Sequence, residues 1–181
     1  MPRNSPPNQP TEAEEGNPGS GASSEPIRVR DLLTPGRVRT DLSASSKKSL
    51  LDQMAEEFHA DRPDLDEREV FQTLLRREQL GSTAVGHGVA LPHGRIPDLE
   101  RPIGAFSRLA SPTDFDALDD HPVSLVFALL VPNEENEQHL QVLARLARML
   151  DDESFRERLL KASGNDLFDL LVSKDEELAG P

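Results

Sequence analysis

The chain reads as a single α/β domain, a central mixed β-sheet flanked by helices on both faces, behind a disordered N-terminal tail. Three observations predict this. Helical and strand-like apolar patterns interleave along the chain, which puts helices on a sheet instead of segregating them. The run Val123–Val131 is nearly continuous in apolar residues between Pro122 and Pro132, as expected of a strand buried on both faces. Residues 1–26 carry Pro, Gly, Ser, Asn and Glu with no large apolar residue after Met1, too little to offset chain entropy.

The elements follow in order. The folded part starts near Ile27, with a short apolar entry to Leu33 broken by Thr34-Pro35-Gly36. Val38–Leu42 alternates and predicts a strand. Ser45 or Ser46 caps a helix with Leu50, Leu51, Met54 and Phe58 on its apolar face. Asp64-Leu65-Asp66-Glu67 resembles a capping box for a second helix, lined by Val70, Phe71, Leu74 and Leu75 and ending at Gly81. Ser82–Val85 is a short extended piece before a glycine turn. Pro97 and Pro102 bracket a polar loop, Ile103–Leu109 is a strand and Ser111–Asp120 a loop. After Val123–Val131, a helix over Gln138–Leu150 has an apolar face of Leu140, Leu143, Ala144, Ala147 and Leu150. Two shorter helices are expected around Ser154–Lys161 and Asp166–Val172, with residues 174–181 frayed. The domain is thus residues 27–173.

Composition narrows the function. The 181 residues, 35% of them hydrophobic, supply one core. Cysteine is absent, which removes disulfides and thiolate chemistry and favours a cytoplasmic home. No apolar run approaches the roughly 20 residues of a membrane span, and no secretory signal is visible. A net charge of −13 repels nucleic acid and anionic membranes, whereas it attracts a basic protein partner.

The most informative stretch is Gly86-His87-Gly88-Val89-Ala90-Leu91-Pro92-His93-Gly94. Pro92 fixes its own φ and holds Leu91 extended, while Gly94 permits close approach of another molecule. His93 is therefore expected on a glycine-punctuated turn as a rigid, solvent-reachable ring. A neutral imidazole is a nucleophile and a proton carrier. His139 opens an apolar helix just after the Val123–Val131 strand. Should that strand lie beside the His93 segment, both rings emerge at one end of the sheet, where α/β sites concentrate. His87 either lines the same rim or sits exposed in its loop, and His59 and His121 read as surface and loop residues. Zinc binding lacks a ligand pattern such as His-Glu-x-x-His, and a serine hydrolase lacks Gly-x-Ser-x-Gly. Nucleophilic histidine needs less: one accessible ring and donors for phosphoryl oxygens.

Ordered blocks carry a resemblance. They are Asp31-Leu32-Leu33-Thr34-Pro35, Arg77-Glu78-Gln79-Leu80-Gly81-Ser82-Thr83, Gly88–Gly94, Pro122-Val123 leading into Phe127–Pro132, and His139-Leu140. Over nearly all of residues 27–172 the chain resembles the IIA domains of the phosphoenolpyruvate-dependent phosphotransferase system. The likeness is to the fructose and mannitol type, above all to its stand-alone nitrogen-regulatory branch. The resemblance implies that His93 accepts a phosphoryl group, that His139 supports the phosphorylated ring and that Arg77 pairs with phosphoryl oxygens. Without it, Arg77 reads as a plain helix-surface charge. Ser82 and Thr83 fall beside the site, their hydroxyls either donating to the phosphoryl group or capping local backbone, and backbone N–H groups around Gly94 hold its oxygens.

The implied donor is a phosphohistidine carrier protein, HPr or its nitrogen-branch paralogue, with no metal or cofactor. The implied role is regulation of targets such as kinases or potassium transporters. The alternatives are a soluble IIA feeding a separate sugar-permease IIB domain, and an unphosphorylated binding module. The chain departs from the nitrogen-type pattern at His87, where that branch carries a different polar residue, and in its long N-terminal segment.

Overall fold

The computed structural model describes residues 25–134 and 137–181. The tail expected over residues 1–26 therefore lies, but for its last two residues, outside them. In chain order the elements are α1 (Val29–Leu32), a 3-10 turn (Pro35–Arg37), β1 (Val38–Leu42), α2 (Lys47–Asp61), α3 (Glu67–Gln79), β2 (Ala84–Gly86) and β3 (Val89–Ala90). There follow β4 (His93–Ile96), β5 (Ile103–Thr113), β6 (Val123–Pro132), α4 (Glu137–Asp151), α5 (Glu153–Lys161) and α6 (Gly164–Ala179). No described helix is long and apolar enough to cross a membrane.

The sheet is mixed, in the order β1-β5-β6-β3-β2, with β4 also on β6. Strand β6 is its axis. It runs antiparallel to β5 and parallel to β3 and β4. Its alternating side chains explain its nearly continuous apolar run. Val126, Ala128 and Leu130 join the core under α2 and α3, with Leu50, Met54, Phe58, Val70 and Leu74. Leu125, Phe127, Leu129 and Val131 join the opposite core with Val29, Leu146, Met149, Phe155, Leu159 and Leu171. Helices thus cover both faces, as the interleaved pattern predicts.

Helix α2 is capped by Ser46, whose Oγ accepts from Ser49 N at 3.1 Å. Other expectations are corrected. Asp66, not Asp64, caps α3, accepting from Glu69 N at 2.8 Å, because Asp64 is engaged by Arg62. Strand β5 continues past Leu109 to Thr113, which still pairs with Val123 of β6. The buried face of α4 is Val142, Leu146, Met149 and Leu150, and Leu140 is 70% exposed. Helix α6 does not stop at Val172. Asp175 is buried where it accepts from Val29 N at 3.0 Å and pairs with Arg145, so an ion pair holds the segment expected to fray.

Candidate functional site

His93 lies on a strand, not on a turn. Val89 pairs with Leu125, His93 with Leu129 and Ile96 with Pro132, so the register against β6 is unbroken across Leu91-Pro92. Pro92 interrupts nothing essential, since its carbonyl accepts from Leu129 N at 2.9 Å. Leu91 faces away from β6: its N–H donates to Thr83 O at 3.0 Å. Its carbonyl, with no strand partner, accepts from the His93 ring at Nδ1, 2.8 Å away.

That bond sets the chemistry of the ring. A carbonyl oxygen can only accept, so Nδ1 carries the proton and the lone pair sits on Nε2. His93 is half-buried. Burial pushes its pKa below the ordinary value, and the Arg77 charge pushes the same way. The Leu91 bond and the Glu78 charge oppose them without reversing the sign. His93 is consequently neutral, and nucleophilic at Nε2, at pH 7.

Side-chain alternation assigns the two faces of β4. Ile96 lies in the core under α2 and α3. Gly94 shares its face, and a Cβ there would meet Thr73 Cγ2 of α3 at 2.4 Å. What approaches Gly94 closely is therefore helix α3, where the sequence suggested another molecule. His93 and Arg95 take the opposite face, toward α4. His139 stands in the first turn of α4, and its pKa is lowered by burial and then by the charge of Arg95. Arg95 thus ties the two histidines to one end of the sheet: it is two residues from one ring and within electrostatic reach of the other.

Arg77, in the last turn of α3, donates from Nη1 to Gly81 O at 3.0 Å and acts on His93 through its charge. Two guanidinium groups and two neutral imidazoles gather in an otherwise acidic protein, an arrangement fit to hold an anion against a nucleophile. The Ser82 and Thr83 hydroxyls are engaged within the protein. Ser82 Oγ donates to Phe115 O at 2.6 Å, and buried Thr83 donates from Oγ1 to Glu78 Oε2 at 2.5 Å. Neither donated bond goes to local backbone; Ser82 Oγ does accept from Ala84 N at 3.2 Å.

The remaining histidines stay apart. His87 is exposed in the β2–β3 turn, with its Nε2 4.0 Å from Asp151 Oδ1 at the last residue of α4. A 12-residue helical separation spans about 18 Å, so His87 and His139 mark opposite ends of α4. His59 Nδ1 lies 2.7 Å from Leu65 O, and His121 Nδ1 lies 3.0 Å from Asp119 Oδ2. Sequence reasoning missed Arg95 and Glu78. With His93 on a turn, the i+2 relation of Arg95 carried no meaning, whereas on a strand it denotes a shared face.

Comparison with known proteins agrees. Residues 31–174 match the family described as "Phosphoenolpyruvate-dependent sugar phosphotransferase system, EIIA 2". The chain is 42% identical over 147 residues to a nitrogen regulatory protein of Pseudomonas aeruginosa, covering 81% of this chain and 96% of that protein. The crystal structure of nitrogen regulatory protein IIA-Ntr from Neisseria meningitidis superposes with a TM-score of 0.73 at 38% identity, covering 78% of this chain and 97% of that one. Enzyme IIA-Mtl of Escherichia coli, solved in complex with phosphorylated enzyme IIB-Mtl, superposes with a TM-score of 0.62 at 25% identity, covering 78% and 97%. The chain belongs to the EIIA 2 family of the phosphotransferase system and is a homologue of its nitrogen regulatory proteins.

Proposed function

We propose that the protein works in the cytoplasm as a regulatory phosphoryl carrier. His93 accepts a phosphoryl group on Nε2 from a phosphohistidine carrier protein, HPr or its nitrogen-branch paralogue. Its phosphorylation state is then read by target proteins, kinases or potassium transporters among them. The bond between His93 Nδ1 and Leu91 O carries this reading, because it leaves Nε2 as the free nucleophilic nitrogen.

The step is balanced between two rings. The donor's N–P bond breaks as the Nε2–P bond forms. The donor ring, protonated on its other nitrogen, departs as neutral imidazole. The His93 ring becomes a phosphoimidazolium that keeps its Nδ1 proton. Little covalent work falls to the protein, so positioning and charge neutralisation dominate. Arg77 and Arg95 neutralise the phosphoryl oxygens, and His139 donates an N–H to them. Leu80 and Leu140, 85% and 70% exposed, adjoin the site on either side and suit a protein donor.

The test is incubation with phosphoenolpyruvate, the first enzyme of the system and the carrier, followed by intact mass. The expected product carries one phosphoryl group, and an unmodified chain would overturn the proposal. A second reading, a IIA that feeds a separate IIB domain, is favoured by the IIA-Mtl relative solved with phosphorylated IIB-Mtl. Transfer from the labelled protein to an added IIB protein would select it over regulation.

A further inference from the structure

We infer that Glu78 is a positioning residue for His93, acting through Thr83 and Leu91. The inference rests on the reading of His93 as the phosphoryl acceptor.

Glu78 is the penultimate residue of α3 and is only 4% exposed. A buried carboxylate is costly unless donors surround it. Here they do. Thr83 N lies 3.1 and 3.2 Å from its two oxygens, Thr83 Oγ1 donates to Oε2, and Lys47 Nζ reaches Oε1 at 3.4 Å. Lys47 is held in turn by Asp116 at 2.6 Å.

From Thr83 the contacts pass on residue by residue. The Thr83 carbonyl accepts from Leu91 N at 3.0 Å, and the Leu91 carbonyl accepts from His93 Nδ1 at 2.8 Å. The link is mechanical, because the N–H and C=O of Thr83, like those of Leu91, belong to different peptide groups: Glu78 fixes Thr83, Thr83 fixes Leu91, and the far bond, from the ring Nδ1 to the Leu91 carbonyl, is thereby held in place.

The chemistry gives that far bond a purpose. After attack by Nε2, the ring is a phosphoimidazolium whose Nδ1 proton must stay in place, since with it the ring can later leave as neutral imidazole. Glu78 favours that proton, and Arg77, the neighbouring residue on α3, opposes it. Among the described residues, Arg95 on the same strand face and the His139 ring from α4 belong to the same titratable and charged surroundings.

A carboxylate that merely staples α3 to the following strand would show the same bonds, so the experiment must read the ring itself. In protein labelled with 15N-histidine, long-range proton–nitrogen spectra give the His93 tautomer and titration, with no phosphate needed. Glu78→Gln keeps an acceptor for Thr83 N and removes the charge. It is expected to lower the His93 pKa and to slow phosphorylation by the carrier about tenfold. Thr83→Val keeps the backbone donor and removes the hydroxyl. It is expected to admit the Nε2–H tautomer and slow transfer, and Thr83→Ser is expected to restore both. Should Glu78→Gln not fold, the two Thr83 variants carry the same readouts. Variants that lose melting temperature but keep wild-type His93 ring signals and a wild-type pH–rate profile would overturn the inference. A wild-type protein that takes no phosphoryl group defeats the functional reading instead, and the phosphate-free spectra keep the two failures distinct.

Discussion

Two histidines six residues apart, each beside glycine, meet opposite fates. His87 sits at a φ of 56°, exposed, its backbone N–H donating to Asp119 Oδ2 at 2.8 Å. His93 sits in an extended strand, half-buried, its ring fixed by the carbonyl two residues before it. The sequence neighbourhoods look alike, and the difference comes from what lies beside the backbone. His87 occupies a hairpin turn at the Val123 end of β6, before the ladder begins at Val89, and its ring has Asp151 Oδ1 at 4.0 Å. His93 is held by the ladder to β6, which orients the ring. The ring of His93 is oriented here by the hydrogen bonds of its strand, more than by its glycines.

The sharpest way to break this comparison is substitution at both positions. His93→Ala is expected to abolish phosphorylation by the carrier, read by intact mass, while His87→Ala is labelled like the parent. Labelling of His93→Ala together with loss in His87→Ala would reverse the assignment. Next in size are the groups proposed to serve the transferring phosphoryl. His139→Ala and Arg77→Ala are each expected to slow labelling about 100-fold, the usual order for one lost charge-stabilising donor. Stopped-flow or quench measurements with phosphorylated carrier check this, and unchanged rates would remove either residue from the site.

Much of this was legible in the sequence, for definable reasons. Val123–Val131 had to be central because only a strand covered on both faces tolerates so few polar residues. The cap at Ser46 and the stop at Gly81 follow from local chemistry that tertiary structure did not override. His93 and His139 stood out by their framing and their resemblance. What was not legible depends on partners distant in the chain. Nothing near Pro92 says that the strand passes through it, since the stabilising bonds come from Leu129 and Thr83. Nothing near Asp175 says that the C-terminal helix persists, since Val29 and Arg145 hold it. The face of α4 was misread because Leu140, apolar and in phase with Leu143, points to solvent beside His139.

Two predictions probe the strand environment of His93. Gly94→Ala brings a methyl to 2.4 Å from Thr73 Cγ2. Threonine is stiff at χ1 and cannot swing clear, so the expected loss is about 2 kcal/mol. Thr73→Ser deletes the offending methyl and is expected to restore most of it, as denaturant melts of the single and double variants would show. No coupling between the two positions would mean that α3 and β4 pack otherwise. The pH dependence follows from burial. The charged form of His93 is disfavoured, so Nε2 keeps its lone pair down to a pH below the ordinary histidine value. The labelling rate is expected to stay flat from pH 8 to about 6.5 and to fall only below that. The stability contributed by this group falls in the same direction, because the unfolded chain binds the proton first. A rate midpoint above 6.5 would mean a ring stabilised in its charged form, contrary to the half-buried strand position.

The smallest effect is the most discriminating for His87. A non-glycine residue at a φ of 56° pays a steric cost of about 1 kcal/mol. Its ring offsets little of this, since its contact with Asp151 is at 4.0 Å between exposed groups. The bond to Asp119 comes from the backbone N–H and survives any substitution that keeps the turn. His87→Gly is therefore expected to raise stability by about 0.5 kcal/mol, the larger unfolded-state entropy of glycine taking back the rest. For a chain of this length that is a rise of about 1–2 °C in Tm. His87→Ala keeps the strained backbone and is expected to gain nothing. If His87→Gly were more stable and also labelled more slowly, the side chain would be held against its own strain for the sake of the carrier. The two histidines would then belong to one docking surface after all.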